Sequence, residues 1–235
     1  MNDRQCGLIL ALDVKTTDEA REFLEKLNRA TTHVKIGPRL WALGGAKFVK
    51  DIIGLGYEVF LDLKLHDIPN TVASAVEPLS ELGLWALTLH TSGGQEMMAR
   101  SVAARNKAGS RMKLLGITVL TSLGGELWSD VHPGCDMNEA LTARAETAEK
   151  AGLDGIVCSP LDLELLKGRA PGLLRVVPGI RASRVSTEDQ TRVATAEDAA
   201  KNGAGYIVVG RPILEAADPI FAAKDIIRRL SEVEY

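Results

Sequence analysis

The sequence predicts a single-domain (β/α)8 barrel over residues 1–235, on three observations. A short aliphatic or β-branched run, a polar or glycine-containing corner and a segment with a helical apolar stripe recur eight times from end to end. Most of the runs are continuously apolar, as strands covered on both faces of a parallel sheet are. The length of 235 residues is close to the ~250 typical of such a barrel. An open doubly wound sheet is the alternative, disfavoured because no G-x-G-x-x-G turn follows the first run and no composition break divides the chain.

The elements follow in order. Leu8 to Asp13 reads as the first strand, and Thr16-Thr17-Asp18-Glu19 as a capping box opening the first helix. His33 to Ile36 is the second strand and Glu58 to Lys64 the third, with Gly56 between them where a helix stops. Gly83 precedes the fourth strand, Trp85 to His90. Lys113 to Leu120 is the fifth, followed by an irregular stretch from Thr121 to Asn138. Gly152 ends the helix before the sixth strand, Gly155 to Cys158. The seventh, Leu173 to Val177, leads into a second irregular stretch from Arg181 to Thr195, and Gly203 precedes the eighth, Tyr206 to Val209. Loops of that length commonly bind ligands or close over them.

Composition narrows the function. Lys plus Arg number 28 against 31 Asp plus Glu, a net charge of −3, which argues against a nucleic-acid coat or a polybasic membrane binder. The apolar stretch Leu8 to Leu12 is far short of the ~20 residues of a membrane span, and the polar Met1 to Gln5 does not read as a signal peptide. Cys6, Cys135 and Cys158 are odd in number and widely separated, without zinc or disulfide spacing, which points to a reducing cytoplasm.

Charges at the C-terminal ends of apolar strands carry the chemistry, because a barrel builds its site from those ends. Asp13 closes the first strand and Lys35 lies within His33-Val34-Lys35-Ile36. In Phe60-Leu61-Asp62-Leu63-Lys64-Leu65-His66-Asp67-Ile68-Pro69-Asn70-Thr71, the strand period of two puts Asp62 and Lys64 on the interior face and Leu61, Leu63 and Leu65 against the helices. A protein seeking only stability would use leucines, since burying Asp13, Lys35, Asp62, Lys64 and Asp67 costs several kcal/mol per ion before pairing. Three acids could hold Mg²⁺, but the interleaved Lys35 and Lys64 repel a cation. A Schiff-base lysine needs a neutral amine, which flanking carboxylates disfavour.

The other end of the site reads as a phosphate pocket. Strand seven runs into Val177-Pro178-Gly179-Ile180-Arg181 and a polar loop ending at Asp189-Gln190; strand eight runs into Gly210-Arg211-Pro212. Gly210 admits a ligand close to the backbone, and Arg211 offers a forked donor at a helix start. His90 reads as a hydrogen-bonded wall residue and Cys158 as a small core residue, because neither has an identifiable acid-base partner; His66 is left structural, and the scattered tryptophans Trp41, Trp85 and Trp128 read as packing residues.

These segments resemble the orotidine 5′-monophosphate decarboxylase family in its bacterial form. The resemblance runs through Leu10-Ala11-Leu12-Asp13, Val34-Lys35-Ile36-Gly37, Phe60 to Thr71, Leu120-Thr121-Ser122, Val177 to Arg181, Asp189-Gln190 and Val209-Gly210-Arg211. It implies decarboxylation of orotidine 5′-monophosphate to uridine 5′-monophosphate, the last step of de novo pyrimidine synthesis, with no cofactor and no metal. By matching position, Lys64 is the proton donor to pyrimidine carbon 6, Asp62 lies against the departing carboxylate, and Lys35 holds the array and contacts the ribose. Asp13 matches the residue on the ribose hydroxyls, and Thr121 or Ser122 the contact to the pyrimidine edge. Asp67, Ile68 and Thr71 match a segment supplied across a homodimer interface. Arg181, Gln190, Gly210 and Arg211 match the phosphate-binding set, with the loop from Arg181 to Gln190 as a closing lid, and Pro178 is a further substrate-binding candidate. The rival readings are a Mg²⁺-dependent sugar-phosphate decarboxylase or aldolase of the same barrel group and a non-catalytic nucleotide-binding barrel.

Overall fold

The computed structural model describes residues 5–124, 126–180 and 194–233. Its elements are β1 (Gly7–Ala11), α1 (Thr17–Leu27), β2 (His33–Ile36), α2 (Pro38–Gly54), β3 (Glu58–Leu65), α3 (Pro69–Leu79), β4 (Ala86–His90), α4 (Gly94–Lys107) and β5 (Lys113–Ile117). There follow α5 (Glu126–Val131), α6 (Met137–Lys150), β6 (Gly155–Val157), α7 (Asp162–Leu165), β7 (Leu174–Val177), α8 (Ala196–Lys201), β8 (Tyr206–Val209), α9 (Arg211–Leu214) and α10 (Pro219–Ser231). The strands close in sequence order into one all-parallel barrel, β8 pairing back to β1 from Gly7↔Tyr206 to Leu10↔Val209. Among the described residues no helix is long and apolar enough to cross a membrane.

Strand periodicity sorts the apolar residues into two shells. Leu8, Leu10, Val34, Val59, Leu61, Leu87, Leu114 and Ile207 point outward into the core shared with the helices. Ile9, Ala11, Phe60, Ala86, Leu115, Val176 and Val208 point inward and fill the barrel. A helix thus buries its stripe on the sheet, which is why α1 sinks Ala20, Leu24 and Leu27 while most of its other positions carry charge.

The local punctuation explains where elements stop. Thr16 Oγ1 accepts from the Glu19 amide at 3.1 Å, and Glu19 Oε2 accepts in return from the Lys15 amide at 2.9 Å, one residue before the usual recipient. Gly56, Gly83, Gly152 and Gly203 have φ of 85°, 80°, 82° and 92°, the left-handed turn between helix and strand.

Several strands end earlier than the apolar runs do. The ladder stops at Ala11, Ile117 and Val157, so Asp13, Val119, Leu120 and Cys158 lie beyond it. Alternation at β3 also fails near its end. Leu61 pairs with Leu87 but Leu65 with Leu89, so β3 advances four residues while β4 advances two. Lys64 sits in that bulge with φ of 52°, a left-handed conformation costing a residue with a Cβ about 1–2 kcal/mol.

Candidate active site

A cavity of about 550 Å³ opens at the C-terminal ends of the strands. Eight of the sequence-selected residues line it: Asp13, Lys35, Asp62, Lys64, Thr121, Pro178, Gly210 and Arg211. Its walls divide into three parts by chemistry.

The first part is a charged array from β1 to β3. Lys64 Nζ lies 2.7 Å from Asp62 Oδ2, Lys35 Nζ lies 3.7 Å from the same oxygen, and Lys35 Nζ lies 3.4 Å from Asp13 Oδ1. Charges therefore alternate in the order Asp13, Lys35, Asp62, Lys64. Burial is uneven along this row. Side-chain exposure is 10% for Asp62 and 14% for Lys35, but 35% for Lys64 and 63% for Asp13. The expectation that all of these charges are buried together is corrected: Asp13 stands past the last ladder pair and Lys64 points to the mouth. Burial alone pushes the Asp62 carboxyl up; the Lys35 and Lys64 ammonium groups, with hydrogen bonds from Lys64 and Thr88, outweigh it and hold the carboxyl below the usual range.

Thr88, on β4, is a participant that the sequence reading missed. Its buried hydroxyl donates to Asp62 Oδ1 at 2.8 Å and accepts from the Lys64 backbone amide at 2.8 Å. A threonine in the run Ala86-Leu87-Thr88-Leu89-His90 is an ordinary strand residue. Its even spacing from Ala86 was the one clue that it faces inward.

The second part is apolar. Phe60, Ile117, Val119, Leu120, Val157 and Val208 line the wall facing the array. Thr121 joins them, whereas Ser122 lies outside the lining. The third part lies at the ends of β7 and β8, where the sequence predicts a phosphate pocket. Gly179, with φ of 83°, makes the turn after β7. A Cβ on Gly210 would stand 3.4 Å from the Ala11 Cβ and 3.9 Å from Asp13 Oδ2, narrowing the passage. Arg211 opens α9 beside it, and Glu215, unremarked in the sequence, shares the lining.

Other selected residues fall elsewhere. Asp67, Ile68 and Thr71 are exposed beyond β3 and do not line this chain's cavity. Asp67 Oδ1 accepts from the Ile68 amide at 2.7 Å, and Ile68 is 67% exposed. Arg181 and Gln190, with the loop between them, lie outside the described residues. His90, expected to be hydrogen-bonded, has no such partner among the described residues and packs its ring 5.2 Å from that of His66. Burial, reinforced by His66, Lys64 and Arg144, pushes its imidazole down to about 4, so it is neutral at neutral pH. For a metal, the donor set is poor: Lys35 stands between Asp13 and Asp62, and among the described residues no three His, Cys, Asp or Glu converge.

Comparison with known proteins agrees over almost the whole chain. Residues 7–226 match the model of the orotidine 5′-phosphate decarboxylase / HUMPS family. An orotidine 5′-phosphate decarboxylase of Opitutus terrae is 44% identical over 227 residues, covering 96% of this chain and 98% of that one. One of Pseudomonas putida is 40% identical over 232 residues, covering 98% and 99%. The crystal structure of orotidine 5′-phosphate decarboxylase from Lactobacillus acidophilus superposes with a TM-score of 0.84 at 34% identity, covering 96% of this chain and 99% of that one.

Proposed function

The chain belongs to the orotidine 5′-phosphate decarboxylase / HUMPS family, and we propose on that premise how its residues decarboxylate orotidine 5′-monophosphate to uridine 5′-monophosphate in pyrimidine synthesis. The phosphate takes the end formed by Gly179, Gly210 and Arg211, the ribose lies over Asp13 and Lys35, and the pyrimidine lies along the apolar wall with its edge at Thr121. Carbon 6 then stands over Asp62 and Lys64. The bond from carbon 6 to the carboxylate breaks, carbon dioxide leaves, and the electron pair stays on the ring. Lys64 delivers its ammonium proton to that carbon, and water restores the proton to the amine.

The rate follows from where charge develops. A carbanion at carbon 6 has little resonance delocalisation, so a fixed ammonium beside it stabilises the transition state more than the substrate, whose negative charge lies on the carboxylate. The single observation carrying this reading is Lys64 Nζ held 2.7 Å from the buried Asp62 carboxylate under a cavity that ends in Gly210 and Arg211. The same contact supports an orienting role for Asp62. Phosphate binding far from carbon 6 supplies the energy that fixes the ring against that pair.

Against the rival Mg²⁺-dependent sugar-phosphate reading, Lys35 between Asp13 and Asp62 supports the nucleotide reaction without a metal or organic cofactor. We place the working unit as a homodimer in which Asp67, Ile68 and Thr71 of each chain complete the other's site. In support, they stand exposed beyond β3, and a second recess of about 360 Å³ beside the array is lined by Asp13, Lys35, Gly37, Arg39, Asp62 and Lys64. That Cys6, Cys135 and Cys158 form no disulfide among the described residues supports the reducing cytoplasm as the compartment.

Chelator-treated protein incubated with orotidine 5′-monophosphate, followed by the absorbance of the pyrimidine, tests the reading. Wild type converts the substrate and Lys64→Ala loses about 10⁴-fold in turnover. Conversion that requires added Mg²⁺, or a Lys64→Ala variant within tenfold of wild type, overturns it.

A further inference from the structure

The backbone of the bulge that turns Lys64 toward the cavity is held by a neutral side chain, Thr88. Leu61 and Leu65 of β3 pair with Leu87 and Leu89 of β4, so Thr88 stands opposite the whole irregular stretch. The bulge takes the Lys64 amide out of the regular ladder, and that amide donates instead to Thr88 Oγ1 at 2.8 Å. The same hydroxyl gives its proton to Asp62 Oδ1 at 2.8 Å, leaving Asp62 Oδ2 for Lys64 Nζ at 2.7 Å. A hydroxyl has one proton and accepting lone pairs, so this arrangement uses it in both directions.

We infer that Thr88 is a positioning residue, whose hydroxyl locks the left-handed backbone of Lys64 and the rotation of the Asp62 carboxylate to each other and so sets where the ammonium stands over the substrate carbon. Three observations converge. Thr88 is fully buried, so no solvent competes for its hydrogen bonds. Lys64 has φ of 52°, a conformation that persists only where its surroundings over-determine it. Asp62 is held from one oxygen by Thr88 and from the other by Lys64, which fixes the carboxylate plane rather than only its charge. Lysine has a flexible four-carbon stem, and without the backbone lock its ammonium samples several positions over the cavity.

The role in turnover rests on the proposed decarboxylation; the lock itself does not. Thr88→Val keeps the shape and removes the hydroxyl, and Thr88→Ser keeps the hydroxyl. With orotidine 5′-monophosphate, Thr88→Val is expected to lose about 30-fold or more in kcat with KM within about threefold, because misplacement acts in the transition state. Thr88→Ser recovers to within about threefold of wild type. Without substrate, residue-resolved amide exchange should show the Lys64 amide at least about tenfold faster in Thr88→Val and protected in Thr88→Ser, while Leu61 and Leu87 stay as in wild type. A Lys64 amide unchanged in the valine variant overturns the lock. Unchanged kcat in that variant, or a loss that the serine variant shares, overturns its role in positioning. If wild type itself fails to turn over, the decarboxylation reading falls while amide exchange still decides the lock.

Discussion

The foot and the mouth of the barrel are built from the same strands and do opposite things. On β2, His33 is at the foot and Lys35 at the mouth; on β3, Phe60 lies below Asp62 and Lys64; on β8, Tyr206 lies below Gly210. The foot is packed with rings. Trp85 stands 4.8 Å from His33, 4.9 Å from Tyr206 and 6.1 Å from Phe60 between centroids, with Lys113 Nζ 5.3 Å from its own ring. The mouth instead concentrates ions whose desolvation is offset only by their partners. One end of each strand therefore serves stability and the other serves chemistry, and substitutions at the two ends should separate cleanly.

Lys64→Ala is the extreme case at the mouth: about 10⁴-fold in turnover, with a thermal midpoint within a few degrees of wild type. A large fall in that midpoint breaks the division, because it makes the mouth part of the scaffold. Mixing Lys64→Ala with Asp67→Asn sharpens it further. Each variant alone is inactive, and random pairing in a homodimer restores about a quarter of wild-type turnover, from the one intact site in each mixed dimer. No recovery after subunit exchange removes the shared site.

Arg211→Ala is expected to lose about 100-fold in kcat/KM, with kcat falling as well as KM rising, because remote phosphate binding acts on the transition state. An intact kcat contradicts that use of the phosphate. Trp85→Ala is the converse at the foot: about 3–5 kcal/mol of stability by denaturant titration, with kcat per folded molecule unchanged.

The smallest effect concerns the two half-buried histidines, one at each end. Both imidazoles are pushed down first by burial; Glu58 resists the push on His33, and His66, Lys64 and Arg144 deepen it for His90, to about 4. A folded value below the unfolded 6.5 means that the unfolded chain binds the proton first. The stabilisation is therefore complete above pH 6.5 and is lost as pH falls toward 4. His90→Gln should flatten the decline of the urea midpoint across that window, and His33→Gln should flatten it less. An identical decline in all three proteins sinks this assignment.

The sequence carried the alternation, the helix-stop glycines and the out-of-place charges because each is a local constraint with a one-dimensional signature. Buried parallel strands are apolar, left-handed corners take glycine, and ions in an apolar strand need a reason. Two strands, His33–Ile36 and Tyr206–Val209, have the same bounds in sequence and structure. Asp13, Leu120 and Cys158 were read into strands because apolar character continues past the last ladder pair. Val119 and Leu120 are apolar as cavity wall, which composition cannot tell from strand.

What only the tertiary structure decided is who meets whom across strands. The sequence placed Asp62 and Lys64 on one face by strict alternation, yet they meet through a bulge with Lys64 at φ of 52°, a register set by β4 and not by β3. Thr88, Glu215 and the place of Thr121 in the cavity wall came into view in the same way, through neighbours distant in the chain. Residue types are chosen by local burial and backbone need, so sequence reveals them; a hydrogen bond or a shared cavity wall depends on barrel closure, which no single segment encodes.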